Sequence, residues 1–141
     1  MMEETDIVNE ILCLLDGWKL DTDITTGHLT DMDYNKKISH DEVMHFYNVA
    51  YNYALTYLQV SEFPTQTITQ IIEDEPVETT DLLPTIYTAL FFWSAGLLWE
   101  KYNVRTDNQL DEDNPYGYGD KLIIQAKEML KPIKSYNFYA Y

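Results

Sequence analysis

The stretch Leu83-Pro-Thr-Ile-Tyr-Thr-Ala-Leu-Phe-Phe-Trp-Ser-Ala-Gly-Leu-Leu-Trp-Glu100 decides the fold. Ile86, Tyr87, Leu90, Phe91, Phe92, Trp93, Leu97, Leu98 and Trp99 cover nearly the whole circumference of a helix, and a helix that is apolar on every side belongs at the centre of a fold or against another subunit. Thr80 or Asp81 is its expected start. Pro84 is tolerated in the first turn, where N–H groups have no intrahelical acceptor, and the helix is expected to reach about Asn103. Thr88, Ser94 and Gly96 interrupt the apolar run, which is shorter than the roughly 20 residues a bilayer span needs. A buried helix is expected, with no membrane partner.

Toward the N-terminus, Ser39 with Glu42 three places on forms a capping box, opening a helix that should run to about Ser61 before Pro64. Its apolar seam is Val43, Tyr47, Ala50, Ala54 and Leu58, and the two alanines would let another helix approach closely. Earlier still, Thr5 caps a short helix carrying Val8, Ile11, Leu12 and Leu15 on one face and ending at Gly17. Residues 19–38 show no steady period and read as loop. The β-prone stretch Thr-Gln-Thr-Ile-Thr-Gln-Ile-Ile at 65–72 reads as a short extended segment.

Toward the C-terminus, residues 104–119 read as a turn-rich loop. A last helix begins near Asp120, shows Leu122, Ile123, Ala126, Met129 and Leu130 on one face, and is expected to stop at Pro132. The expected fold class is therefore all-α: a small antiparallel bundle of about four helices, with long loops and an extended C-terminal tail. Residues 1–134 are the helical domain and 135–141 the tail.

In a chain of 141 residues, 45% apolar and 14% aromatic content is enough for one well-buried core. The formal charge of -15 repels phosphate backbones, which argues against tight nucleic-acid binding. Charge is uneven: Lys121, Lys127, Lys131 and Lys134 against Asp120 and Glu128 leave +2 over residues 120–141 and -17 over the rest. A basic end on an acidic body suggests docking. Cys13 is the single cysteine and the Met-Met-Glu-Glu start lacks the pattern of a signal peptide, so a reducing, cytoplasmic setting is expected.

The sharpest site-like pattern runs from Asp31 to Glu42. Asp31, Asp33, Asn35, Ser39 and Glu42 fall at oxygen-ligand positions of a calcium loop and Ile38 at its apolar position. Lys36 stands where that loop's sharp turn calls for Gly, and a helix start with an acidic lead-in accounts for the same residues. A calcium-binding acidic interaction module is the alternative reading. Glu42 and His45 have the spacing of one arm of a di-iron bundle, without a second arm, and His28 and His40 lack ligand spacing. Cys13 has no nearby His in sequence, and Gly117-Tyr-Gly119 is a turn signal without a phosphate loop's basic residues. No catalytic constellation or cofactor motif is found, so neither an enzyme nor a cofactor is expected. The aromatics at 87, 91, 92, 93 and 99 read as core, and the 12 tyrosines suit subunit contacts.

Three segments taken in order resemble the small head-tail connector (head-completion or adaptor) family of tailed bacteriophages. These are the acidic helix start Ser39-His-Asp-Glu-Val-Met-His-Phe-Tyr-Asn-Val-Ala, the Pro-led aromatic helix from Leu83 to Tyr102, and the ending Met129-Leu-Lys-Pro-Ile-Lys134. The resemblance covers residues 38–134. It implies a virion protein at the head-tail junction, assembled in the host cytoplasm as a homo-oligomeric ring of roughly twelve copies. The ring would bind the portal protein and a tail or stopper protein, and its acidic lumen would pass DNA without specific binding. On this reading Lys134, Tyr136, Phe138, Tyr139 and Tyr141 dock the partner as an added strand, and Phe91, Phe92 and Trp99 form the self-contact.

Overall fold

The computed structural model describes residues 2–15, 19–20, 37–102 and 117–139. Among them lie four helices, α1 (Glu4–Leu12), α2 (His40–Leu58), α3 (Pro84–Tyr102) and α4 (Gly117–Tyr139). Strands β1 (Lys19–Leu20) and β2 (Lys37–Ile38) form a short parallel pair, while β3 (Thr65–Ile72) and β4 (Glu75–Leu82) form an antiparallel hairpin. The chain is mostly helical, but the all-α expectation needs correcting by that hairpin.

α3 is the hub. It packs against α1, α2 and α4, and Ile86, Ala89, Leu90, Ala95 and Leu98 are buried around its circumference, as an all-round apolar helix requires. Its start is later than expected. Residues 80–82 are spent on β4, so Pro84 takes the first helical position and Leu83 supplies the first carbonyl, to the amides of Ile86 and Tyr87. Ser94, fully buried, is satisfied by donating to the Leu90 carbonyl at 2.6 Å.

α1 buries Ile7, Val8 and Ile11 and places Glu4 and Asp6 in its first turn, where acids complement the dipole. Its N-cap is Glu3, with no side-chain cap bond, and not Thr5. The helix also ends before Gly17. The amides of Leu14 and Leu15 reach back only three residues, tightening the last turn, and the Trp99 indole N–H donates to the Leu14 carbonyl at 3.1 Å. An orphan carbonyl at the helix end is thus satisfied from α3.

Ser39 caps α2 as expected, accepting the Glu42 amide at 3.2 Å. Val43, Tyr47, Ala50, Ala54 and Leu58 are its buried seam. Gln59, at φ 58°, closes the helix in the left-handed region, and the Val60 amide bonds back to Leu55.

α4 buries Leu122, Ala126 and Leu130. It does not stop at Pro132: the helical backbone continues to Tyr139, which corrects the extended tail expected from residue 135. A proline inside a helix costs about 3 kcal/mol. Packing offsets it here, because Leu130 and Ile133 on either side lie against the core while Pro132 itself is exposed.

Candidate functional site

The hairpin follows from a two-residue turn. Glu73 and Asp74, at φ 51° and 66°, both sit in the left-handed region, the geometry that suits the twist of paired strands. The strands pair from Thr65–Leu82 through Ile72–Glu75 without a bulge. Their distal half carries three of the exposed large apolar groups of the described residues: Ile71, the most exposed of them at 77%, Ile72 at 50% and Val77 at 37%. A two-stranded ribbon that is open to solvent on both faces has little core of its own to hold it.

What holds it is the root. There a cleft of about 360 Å³ lies between α1, α2, α3 and the hairpin, lined by Met2, Ile7, Tyr47, Tyr51, Asp81 and Tyr87 among others. The Asp81 carboxylate accepts the Tyr87 hydroxyl at 2.5 Å and the Leu82 amide at 2.9 Å. The Tyr87 oxygen in turn accepts the Met2 amide at 3.3 Å. The Tyr87 hydrogen bond holds the Asp81 carboxyl below its usual range. Burial pushes the Tyr87 phenol up, with the bond to Asp81 adding to it. Burial, with Tyr87 next, likewise raises the phenol of Tyr47. At neutral pH the carboxylate is therefore ionised and both phenols are protonated. A carboxylate held low is a poor proton acceptor, so this chemistry fastens the hairpin to α3 more readily than it moves protons.

A second surface runs across α2, α3 and α4. The Lys127 ammonium lies 5.5 Å from the Trp93 ring centre and that of Lys134 lies 4.4 Å from Tyr57. Tyr57 and Trp93 meet edge to face at 6.3 Å, and Tyr53, 52% exposed, lies beside Trp93. Two of the four lysines behind the local positive charge are thus laid on the protein's own aromatic rings. Lys134, expected to meet a partner, stabilises α4 against α2.

The other expected site residues scatter. Phe91 and Trp99 are buried in the monomer, Phe91 against Tyr87 and Tyr47, and Trp99 against Leu14, so they correct the expected self-contact. Of that set only the half-buried Phe92 keeps exposed area. Tyr136, Phe138 and Tyr139 fall on the last turns of α4, and Tyr141 lies outside the described residues. So do Asp31, Asp33 and Asn35 of the calcium pattern, and His28. Glu42, its last position, is nearly buried and pairs with Lys101 of α3 at 3.2 Å. That lysine also lies over Phe46, 5.0 Å from the ring centre.

His45 is exposed and edge-on to Phe46, and Cys13 is a free, exposed thiol. His40 lies 3.7 Å from both Glu4 and Asp41. Among the described residues no three His, Cys, Asp or Glu side chains gather as a metal site, and no helix is long and apolar enough to cross a membrane.

The hairpin, the Asp81–Tyr87 fastening and the Trp99–Leu14 bond were not foreseen from sequence. The signal that was present is the uncharged β-prone run at 65–72. No protein-family model, curated protein or solved structure matches this chain.

Proposed function

We propose that the chain is a structural subunit of a tailed-phage virion, a head-tail connector or adaptor that forms a ring between portal and tail and continues the DNA channel, without turning over a substrate. The observation that carries this reading is the projecting hairpin, whose Ile71, Ile72 and Val77 stay exposed beyond a root fastened to the bundle. Apolar groups held out beyond a fastened root are surface awaiting a neighbour. The resemblance over residues 38–134 names the assembly, and the -15 charge suits a channel wall to which DNA does not adhere.

The test is co-purification with the portal protein of the same phage, with the mass of the complex measured by light scattering and its shape by electron microscopy. A closed ring on the portal, and no retention of duplex DNA at physiological ionic strength, are expected. A monomer that ignores the portal, or one that grips duplex DNA under those conditions, overturns the proposal.

A further inference from the structure

The two outer edges of the hairpin are not equivalent. A two-residue turn closes on a pair that exchanges both main-chain bonds, so Ile72 with Glu75, Gln70 with Val77, Ile68 with Thr79 and Gln66 with Asp81 satisfy one another. The alternate residues point their N–H and C=O groups outward. On β4 these are Pro76, Glu78, Thr80 and Leu82, and that edge is blunted: Pro76 has no N–H, the Leu82 amide is taken by Asp81 at 2.9 Å, and Glu78 sets a charge on it.

On β3 the outward groups belong to Thr65, Thr67, Thr69 and Ile71. That strand has eight residues, with no charge, no proline and no bulge. Within the described residues its outer amides meet no protein acceptor. Two of the four outward donors are thus missing or taken on β4, while none is on β3, so β3 is the better template for a further strand.

Charge selects the occupant. The hairpin carries Glu73, Asp74, Glu75, Glu78 and Asp81, and no Lys, Arg or His occurs between His45 and Lys101. A second copy pairing β3 to β3 in antiparallel fashion would put each acidic tip about two strand spacings, roughly 10 Å, from the other copy's Asp81, and parallel pairing would set the two tips side by side. Like charges so placed oppose association, weakly in the first arrangement and more strongly in the second. We propose that the outer edge of β3 accepts an extended, cationic segment of a different polypeptide as a third strand. Main-chain bonds would give the affinity, the acidic turn would select lysine or arginine, and Ile71 and Ile72 would be covered by the added strand's β-branched side chains. This deepens the connector reading by naming the chemistry of the partner segment at one edge.

The experiment uses the full chain, isotopically labelled, titrated with an acetylated and amidated peptide of alternating Lys, Thr and Val, and with the same peptide bearing Glu for Lys. The expected result is saturable binding of the lysine peptide alone, with exchange protection gained at the amides of Thr65, Thr67, Thr69 and Ile71. Thr67→Pro with Thr69→Pro removes two outward donors and no bond to β4, and should weaken binding at least about tenfold. Should that variant not fold, Glu75→Lys with Glu78→Lys serves instead: it leaves the ladder intact and should abolish the preference for the lysine peptide.

Protection on Glu78 and Thr80 in place of β3 overturns the proposal. So does equal binding of both peptides, an absence of shifts at millimolar peptide, or concentration-dependent dimerisation that protects the β3 amides without peptide. Portal co-purification is a separate readout, so a failed connector reading and a failed β3 edge are told apart.

Discussion

The backbones of α3 and α4 approach so closely at Gly96 and Gly119 that a Cβ placed on Gly96 would stand 2.6 Å from the Gly119 carbonyl oxygen, and one on Gly119 would stand 2.8 Å from that of Gly96. Neither obstacle is a side-chain tip that can swing away. Helix propensity favours Ala over Gly by about 1 kcal/mol, and here the contact outweighs it. Gly96→Ala should destabilise the protein by about 1–3 kcal/mol, the usual cost of overpacking, and lower its melting temperature in a circular-dichroism scan. Because both glycines relieve one contact, the pair of substitutions should cost less than the sum of the two. An unchanged or raised melting temperature for Gly96→Ala would show that the helices do not meet there.

Glu42 and Lys101 tie the start of α2 to the end of α3. The Glu42 side chain is 11% exposed and that of Lys101 50% exposed, so solvent screens one partner and hardly reaches the other. Lys101→Met leaves a carboxylate nearly buried without its ion partner and should cost about 1–2 kcal/mol, less than a fully buried pair because of the screening. Adding Glu42→Gln to Lys101→Met should recover much of that loss in a urea titration. If the double variant is no better than Lys101→Met alone, the cost comes from the stem packed over Phe46 and not from the charge.

The root of the hairpin should respond to pH at both extremes. Asp81 has a folded value below the ordinary 3.8, so its contribution is present above that value and is lost as pH falls through the depressed one. Asp81→Asn should therefore flatten the acid limb of a stability profile below about pH 4. Tyr47 moves the other way: its folded value is raised above the ordinary 10.0, so its contribution is full below pH 10.0 and is lost as pH rises further. Tyr47→Phe should flatten the alkaline limb. Acid and alkaline limbs that match the unsubstituted protein in both variants would remove these groups from the account.

How much of this was legible depended on whether the deciding interaction was local. The α2 start was, because Ser39 and Glu42 stand three residues apart and the cap bond needs nothing else. So was the centrality of α3, since nine large apolar side chains from Ile86 to Trp99 leave no polar face. The hairpin was only half visible. β3 has a strand composition, but β4 begins Glu-Pro and carries acids, and its turn is Glu73-Asp74 where Asn-Gly is the usual mark. The end of α1 was hidden because its partner, Trp99, lies 85 residues away from Leu14. Phe91 and Trp99 illustrate the same limit: an aromatic on a helix reads alike whether its neighbour is α1 of the same chain or a second subunit.

Pro132 separates local preference from tertiary packing more sharply than any other residue here. It has no N–H for the Glu128 carbonyl and its ring crowds the preceding turn, yet α4 runs on for another seven residues, to Tyr139. Lys134, above the Tyr57 ring at 4.4 Å, and Ile133, against the core, hold the chain beyond the proline in the helical path. Pro132 is exposed, so Pro132→Ala removes no core contact while restoring a main-chain bond and relieving the crowding. It should raise stability by about 1–3 kcal/mol and leave the helical signal at 222 nm no smaller. Tyr57→Ala, by contrast, removes the ring beneath Lys134 and should loosen the last turns of α4, seen as faster amide exchange beyond residue 133. Should Pro132→Ala instead destabilise the protein, the proline would be supplying a bend on which the packing of Ile133 and Lys134 depends, and the helix after it would owe its path to that bend.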